Sequence, residues 1–405
     1  MKDLCRKLGA SHFSRKPLAQ YHTERGPFQA HSKHGNYNAW LHEIGFARYD
    51  LIAAFDPDHI PVPTFLSQVV GYFSHPMVGY VQAPQTYYNQ SASFIARGAA
   101  EETYAYYSSV QMASYGLGYP IVIGSHNTHR VSALKDVGGF APHDADDLLI
   151  TFLYRSRGWQ GVYVPKILAR GLTPVDWSGY LGQQRRWARS VLDLKIRSYP
   201  KVSGRLPLKT QLMSLLHGLN YLHKSLLLPA ALIVLAVLLA TGMAAEVFSG
   251  PTLLRLGILT GAVQLAELYR QRFYLEWKTE WGLHWRAGLL QLAKWPYLLS
   301  ALFDVIQDRR VPYTLTTKVK STSRRRMMWP QAVVAAFVGS AWAMGILSGA
   351  PITPFLHLTA AAAIAGSLFL LLTERGTFPA PYTTGALKSP DSSTTLRATS
   401  VIEAP

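Results

Sequence analysis

Two textures divide the chain. Up to about residue 200, short apolar runs alternate with polar stretches; beyond 205, long uncharged runs dominate. In the first part, Asp50-Leu51-Ile52-Ala53-Ala54-Phe55 is a brief apolar run leading into acid, which predicts a buried strand with carboxylates at its C-terminal end. Met77–Gln82 and Ile121–Gly124 predict further strands, and Trp159–Val164 another. Phe94–Tyr115, rich in Ala, Glu and Tyr, predicts a helix, as does Asp147–Arg157, which Gly158 stops. Strands alternating with helices predict an α/β layer structure.

The second part reads as a membrane domain over 205–375. Leu208, Leu212, Leu215, Leu219 and Leu222 step by four and three, the apolar face of an interfacial helix over 207–223, although a core helix fits the pattern as well. Spans are expected at about 225–245, 252–269, 327–347 and 355–373. The stretch 286–306 is apolar but carries Lys294 and Pro296 in its middle. A lysine at the centre of a span costs about 2.5–3.5 kcal/mol, so this stretch is placed in the interface. The tail 376–405, rich in Pro, Ser, Thr and Ala, is expected to be disordered.

Charge refines this layout. The formal net charge of +17 suits nucleic acid, anionic lipid or a phosphorylated substrate. Twelve Lys and Arg lie between 270 and 326, whereas the links 246–251 and 348–354 contain none. The positive-inside rule then puts residues 1–220, 270–326 and the C-terminus in the cytoplasm of a multi-pass protein of the inner (plasma) membrane. No helix-turn-helix or zinc-finger spacing supports nucleic acid as a partner. The single cysteine, Cys5, excludes an internal disulfide and a thiolate metal cluster.

Several groupings carry chemistry. Asp56 and Asp58, two apart on an extended strand end, point the same way and suit one Mg2+ or Mn2+; a capped turn before Pro57 is the plainer alternative. Asp146-Asp147 precedes a helix, where one of them could serve only as an N-cap; the functional reading makes Asp147 a general base. Gln183, Arg186 and Trp187 share a helical face through their i, i+3, i+4 spacing. The guanidinium can bind phosphate bidentately and the indole can stack on a sugar ring, while a membrane-edge helix carries Arg and Trp for other reasons.

In this order the motifs resemble the processive family 2 glycosyltransferases, the cellulose synthase-like group. Lys33-His34-Gly35-Asn36-Tyr37-Asn38 resembles the K-A-G-N-x-N loop, Asp56-Pro57-Asp58 the D-x-D, and Ala145-Asp146-Asp147 the T-E-D. Gln183–Trp187 resembles Q-x-x-R-W, and Tyr313–Lys318, within 311–320, the gating loop F-x-V-T-x-K. The resemblance covers roughly 25–375. It implies a type A glycosyltransferase α/β fold over 1–200, followed by an α-helical membrane domain. Asp56 and Asp58 would hold the metal and diphosphate, and Asp147 would be the base. Lys33, Asn36, Asn38, Asp146, Gln183, Arg186 and Trp187 would bind substrate or nucleotide, and Thr316 and Lys318 would close over the donor. The implied activity is inverting transfer of a hexose from a UDP-sugar, UDP-glucose in first place, to a growing β-glycan such as cellulose. The implied partners are the donor, the glycan acceptor, the bilayer and accessory secretion or regulatory subunits.

Three departures bear on this. Asp146 replaces the longer acid of T-E-D; Tyr313 and Leu315 replace Phe and Val; and only about thirty residues precede Lys33, where family members carry a nucleotide-binding half. The expectation is therefore a partial domain, N-terminally truncated, that binds nucleotide sugar poorly. A non-processive transferase acting on a lipid acceptor and an inactive, degenerate paralogue are the competing readings. Product sizing separates the first from a polymer synthase.

Overall fold

The computed structural model describes residues 2–204, 206–243, 249–309 and 325–373. They fall into two compact units, each interleaved along the chain. The expected tail and the gating loop, with Thr316 and Lys318, lie outside the described residues.

The first unit comprises residues 1–85, 111–164 and 193–217. Its mixed sheet has the order Leu51–Ala54, Asn127–Arg130, Val78–Gln82, Gln160–Tyr163. Asn127–Arg130 runs antiparallel to both neighbours, and Gln160–Tyr163 runs parallel to Val78–Gln82. Ala54 and Gln82 both face Asn127, and Tyr163 pairs with Gln82. Three strands thus bring their C-terminal ends to one edge, where α/β sheets present ligand sites. Val78–Gln82 is buried throughout, which its nearly unbroken apolar run predicts for a central strand.

One strand differs from the expectation. Ile121–Gly124 is not a strand; Asn127–Arg130 is. The amides of the expected strand are bonded to side chains instead: Ile121 N to Gln111 Oε1, Val122 N to Thr151 Oγ1 and Ile123 N to Gln82 Oε1, at 3.1, 2.9 and 2.7 Å. The true strand is polar yet buried, which hydrogen bonding makes tolerable. His129 lies between Asn127 Oδ1 and Tyr154 Oη, 2.9 Å from each, and Arg130 Nε donates to Val78 O at 2.8 Å. Burial pushes the His129 pKa down to about 3, so the ring stays neutral.

The second unit comprises residues 86–110, 165–192 and 218 onward. The short strands Thr86–Tyr87 and Ala169–Gly171 pair in parallel. Helices Phe94–Ala105, Trp177–Asp193 and Trp285–Ile306 share a core that includes Ile95, Ala99, Tyr180, Leu181, Leu290 and Ala293. Gly98 permits the close approach: a Cβ there would lie 2.7 Å from Leu290 Cδ1. Helices Trp329–Leu347 and Pro354–Thr373 pack with the C-terminal part of helix Leu208–Thr241 around Leu235, Leu239, Val338 and Ala360. A Cβ on Gly345 would sit 1.9 Å from Leu239 O, so only glycine allows that helix contact.

Among the described residues, four helices are long and apolar enough to cross a membrane: Leu208–Thr241, Trp285–Ile306, Trp329–Leu347 and Pro354–Thr373. The first joins the stretches 207–223 and 225–241 into one element, with Gly218 at φ +97° inside it, a conformation that disfavours a side chain. The second is the stretch assigned to the interface on account of Lys294. The expected span 252–269 is a helix, Gly250–Tyr274, but is not among the four.

Candidate active site

The first unit gathers acid around one lysine. Asp56 leaves strand Leu51–Ala54 at the carboxyl edge, and its amide donates to Ser125 Oγ at 3.0 Å. Lys33 opens helix Lys33–Trp40, which Ser32 caps by accepting from Gly35 N at 3.0 Å. The Lys33 Nζ donates to Asp56 Oδ1 and to Gly124 O, both at 2.6 Å. Burial acts most strongly on this ammonium and lowers its pKa. The Tyr37 oxygen and the Asp56 and Asp146 carboxylates together outweigh burial, so the group is held above the ordinary lysine value.

Asp146 and Asp147 begin helix Asp146–Ser156, where the helix dipole favours negative charge. Ala145 is the N-cap residue and supplies no side-chain cap. The acids partly substitute: Asp146 Oδ1 accepts from Asp147 N at 3.0 Å and Asp147 Oδ1 from Leu148 N at 2.8 Å. Desolvation first, and the adjacent Asp147 second, push the Asp146 pKa up to about 7. Asp147 is also raised by burial, against the pull of its amide bonds and Lys33. Two neighbouring carboxyls of this kind release protons as a pair.

Asp58 sits beside a histidine pair. His126 Nδ1 lies 2.9 Å from Pro84 O, which can only accept, so that nitrogen carries the proton. Burial and then His59 push the His126 pKa down to about 4, so its Nε2 accepts from His59 Nδ1 at 2.6 Å. The other nitrogen of His59 faces Asp58 Oδ2 at 3.9 Å.

Asp56 and Asp58 offer hard oxygen donors, the ligand type that Mg2+ and Mn2+ take. Among the described residues no cluster of three or more His, Cys, Asp or Glu could enclose a metal. That donor set suits a cation held by one or two carboxylates plus substrate phosphates rather than by a protein cage, so the residues fit such an ion.

The second unit holds the other motif. Gln183 and Gln184 are buried on helix Trp177–Asp193, while Arg186 and Trp187 are half-buried. Gln184 Oε1 accepts from Lys294 Nζ at 3.1 Å, and Arg185 Nη2 donates to Asp304 Oδ2 at 2.6 Å. Lys294 also donates to Glu102 Oε1 at 2.8 Å, which receives Tyr180 Oη on its other oxygen at 2.7 Å.

The structure thus brings Lys33, Asp56, Asp146 and Asp147 together and puts Gln183, Arg186 and Trp187 on one helix. It gives the remaining residues of the K-A-G-N-x-N-like stretch a helix instead of a loop. Asn36 is exposed there, whereas Asn38 is buried and committed to the fold: it donates to Pro27 O and Phe140 O at 2.9 Å and accepts from Phe140 N at 2.7 Å. Sequence reasoning missed Gly124, whose contribution is a carbonyl and leaves no side-chain signal. It also missed Glu102, one of two adjacent acids in a helix, and Asp304, which follows an apolar run.

Residues 23–190 match the family model described as glycosyltransferase like family 2. That segment is similar to glycosyltransferase domains of the cellulose synthase-like kind, and among the described residues it is followed by a helical region with four helices long and apolar enough for a membrane. Cellulose synthase 1 of Komagataeibacter xylinus is 30% identical over 177 residues, 42% of this chain and 11% of the relative. Cellulose synthase 2 of Novacetimonas hansenii is 29% identical over 182 residues, 44% of this chain and 11% of the relative. The UDP-forming cellulose synthase catalytic subunit of Xanthomonas axonopodis pv. citri is 28% identical over 200 residues, 48% of this chain and 27% of the relative. The matched stretch therefore spans between 11% and 27% of those relatives' own length.

Proposed function

We propose that this chain works in a membrane β-glycan synthase, moving a hexose, glucose first, from a UDP-sugar onto a growing glycan with inversion. The observation that supports this best is the acid cluster around Lys33 at the carboxyl edge of a family 2 domain. Asp147 takes the proton of the acceptor hydroxyl as that oxygen attacks the anomeric carbon. The bond from that carbon to the diphosphate breaks on the opposite side, and UDP leaves with the bonding pair. A single displacement inverts the centre. A raised Asp147 pKa suits this role, since a base is most effective when its pKa lies near the working pH.

Lys33 holds Asp56 in place and offsets part of the negative charge of a diphosphate that approaches three carboxylates. Asp56 and Asp58 would hold Mg2+ or Mn2+, which would neutralise the leaving diphosphate. Gln183 and Arg186 bind diphosphate and Trp187 stacks on the acceptor sugar. Thr316 and Lys318 close over the donor. The domain faces the cytoplasm of the inner membrane, and accessory secretion or regulatory subunits receive the product.

The test is reconstitution of the chain in lipid nanodiscs with UDP-[14C]glucose and Mg2+ or Mn2+. The expected product is a β-glucanase-sensitive polymer. Transfer of a single sugar to lipid would replace the polymer reading, and absence of any transfer would overturn the enzymatic one.

A further inference from the structure

We propose that Gln184 and Arg185, the two middle positions of Gln183–Trp187, are positioning residues. They clamp helix Trp177–Asp193 onto helix Trp285–Ile306 and thereby set the direction in which Gln183, Arg186 and Trp187 are presented. The inference deepens the functional reading above and rests on it for the roles of those three residues.

At 3.6 residues per turn, the midpoint of Gln184 and Arg185 lies roughly 150° around the helix from the midpoint of Gln183, Arg186 and Trp187. The motif therefore has two faces. The face of Gln184 and Arg185 is tied to one partner helix at two separated points. Lys294 Nζ donates to Gln184 Oε1 at 3.1 Å, and Arg185 Nη2 donates to Asp304 Oδ2 at 2.6 Å. Both partner side chains on Trp285–Ile306 are almost fully enclosed: Lys294 is 5% exposed and Asp304 7%.

Apolar contacts fill the distance between the two ties. Ala188 packs in one cluster with Leu298 and Ala301, and Leu192 in another with Leu302 and Val305. Such contacts tolerate sliding and rotation, because dispersion and burial have no direction. The two polar ties do not. Turning the helix would leave the buried Lys294 short of an acceptor and strip Asp304 of its guanidinium, a penalty that grows as water is excluded. Glu102 holds Lys294 in place from a third helix, Phe94–Ala105, while also accepting from Tyr180 Oη on the motif helix itself. The clamp therefore fixes the rotation of the motif helix, a property the apolar seam does not supply.

The test uses the full chain in nanodiscs and a charge exchange. Arg185→Asp and Asp304→Arg are measured singly and together, with kcat and KM for UDP-glucose and hydrogen exchange across 183–187. Each single change is expected to lower kcat by about tenfold or more, because small misplacements are costly. The exchanged pair is expected to recover most of that loss, with the coupling read as a double-mutant cycle. Arg185→Lys, which keeps the cation, is expected to retain more activity than Arg185→Asp. Singles with unchanged kcat, or an exchanged pair no better than the worse single, overturn the clamp. Should the reversals fail to fold, Arg185→Gln and Asp304→Asn carry the same comparison, with the same outcomes. Should the unaltered chain transfer no sugar, the functional reading fails by itself, and hydrogen exchange decides the clamp. Faster exchange at 183–187 in the singles, reversed in the pair, sustains it; unchanged exchange overturns it.

Discussion

Around Asp56, three carboxylates share a single lysine; along helix Trp285–Ile306, each acid has a cation of its own. In the first unit Lys33 serves Asp56 directly, and burial, helped at Asp146 by the adjacent carboxyl, leaves the Asp146–Asp147 pair reluctant to ionise. In the second, Lys294 meets Glu102 and Arg185 meets Asp304, while Arg97 and Arg286 both donate to Glu101. The same side-chain types thus serve opposite ends. Unmatched charge stores a tendency to take up protons or cations, which suits chemistry. Matched, enclosed charge resists any movement that would separate it, which suits architecture.

The largest effect that could break this contrast concerns Asp147. Asp147→Asn is expected to lower sugar transfer by about 10²–10⁴-fold, the usual contribution of a general base, while leaving the fold intact. Loss of less than tenfold in radiolabel transfer would put the acid cluster on the architectural side. Next comes Lys294→Met, which strands Glu102 and should cost about 3–5 kcal/mol of stability in thermal denaturation. Lys294→Arg, which keeps a cation, should cost much less. Equal costs would mean that volume rather than charge holds the helix.

A smaller effect tests the burial of Asp146 beside a second acid. The folded Asp146 pKa of about 7 lies above its ordinary 3.8, so the native state binds more protons than the unfolded chain between those values. The stability advantage is present below about pH 4 and is lost as pH rises through 7. Asp146→Asn should therefore match the unaltered protein at pH 4 and melt higher at pH 7, by about 2–4 °C for each kcal/mol relieved. A variant that melts lower at pH 7 would show that the carboxylate is compensated. The smallest shift is expected from Lys33→Met. Lys33 lowers both acids, so its removal should move the acid limb of the pH–rate profile upward. A downward move would contradict the assignment.

These contrasts explain what could be read from sequence. Asp56, Asp146 and Asp147 were legible because strand ends and helix starts have local signatures. The role of Lys33 was not legible from spacing, since its partners Asp56 and Gly124 lie 23 and 91 positions away. The strand Asn127–Arg130 escaped notice because its polar side chains are satisfied in part by residues far along the chain, such as Val78 and Tyr154. Lys294 was read as a cost in lipid, a sound reading for an isolated helix. The acid that compensates it is 192 positions earlier in the chain. Long-range pairing leaves no period in the sequence, so periodicity finds the apolar seam of a helix and misses the residues that fix its rotation.

The order of synthesis gives those buried pairs a further meaning. Glu102, Tyr180, Gln184 and Arg185 all leave the ribosome before Lys294 and Asp304. When helix Trp285–Ile306 emerges, the groups that will neutralise it have already been made, and segments made earlier generally fold earlier. Set across a bilayer by itself, the helix is a poor guest because of its central lysine. Docking against those groups gives the lysine the partners that lipid does not. The chain's own earlier half acts as the receptor that admits it.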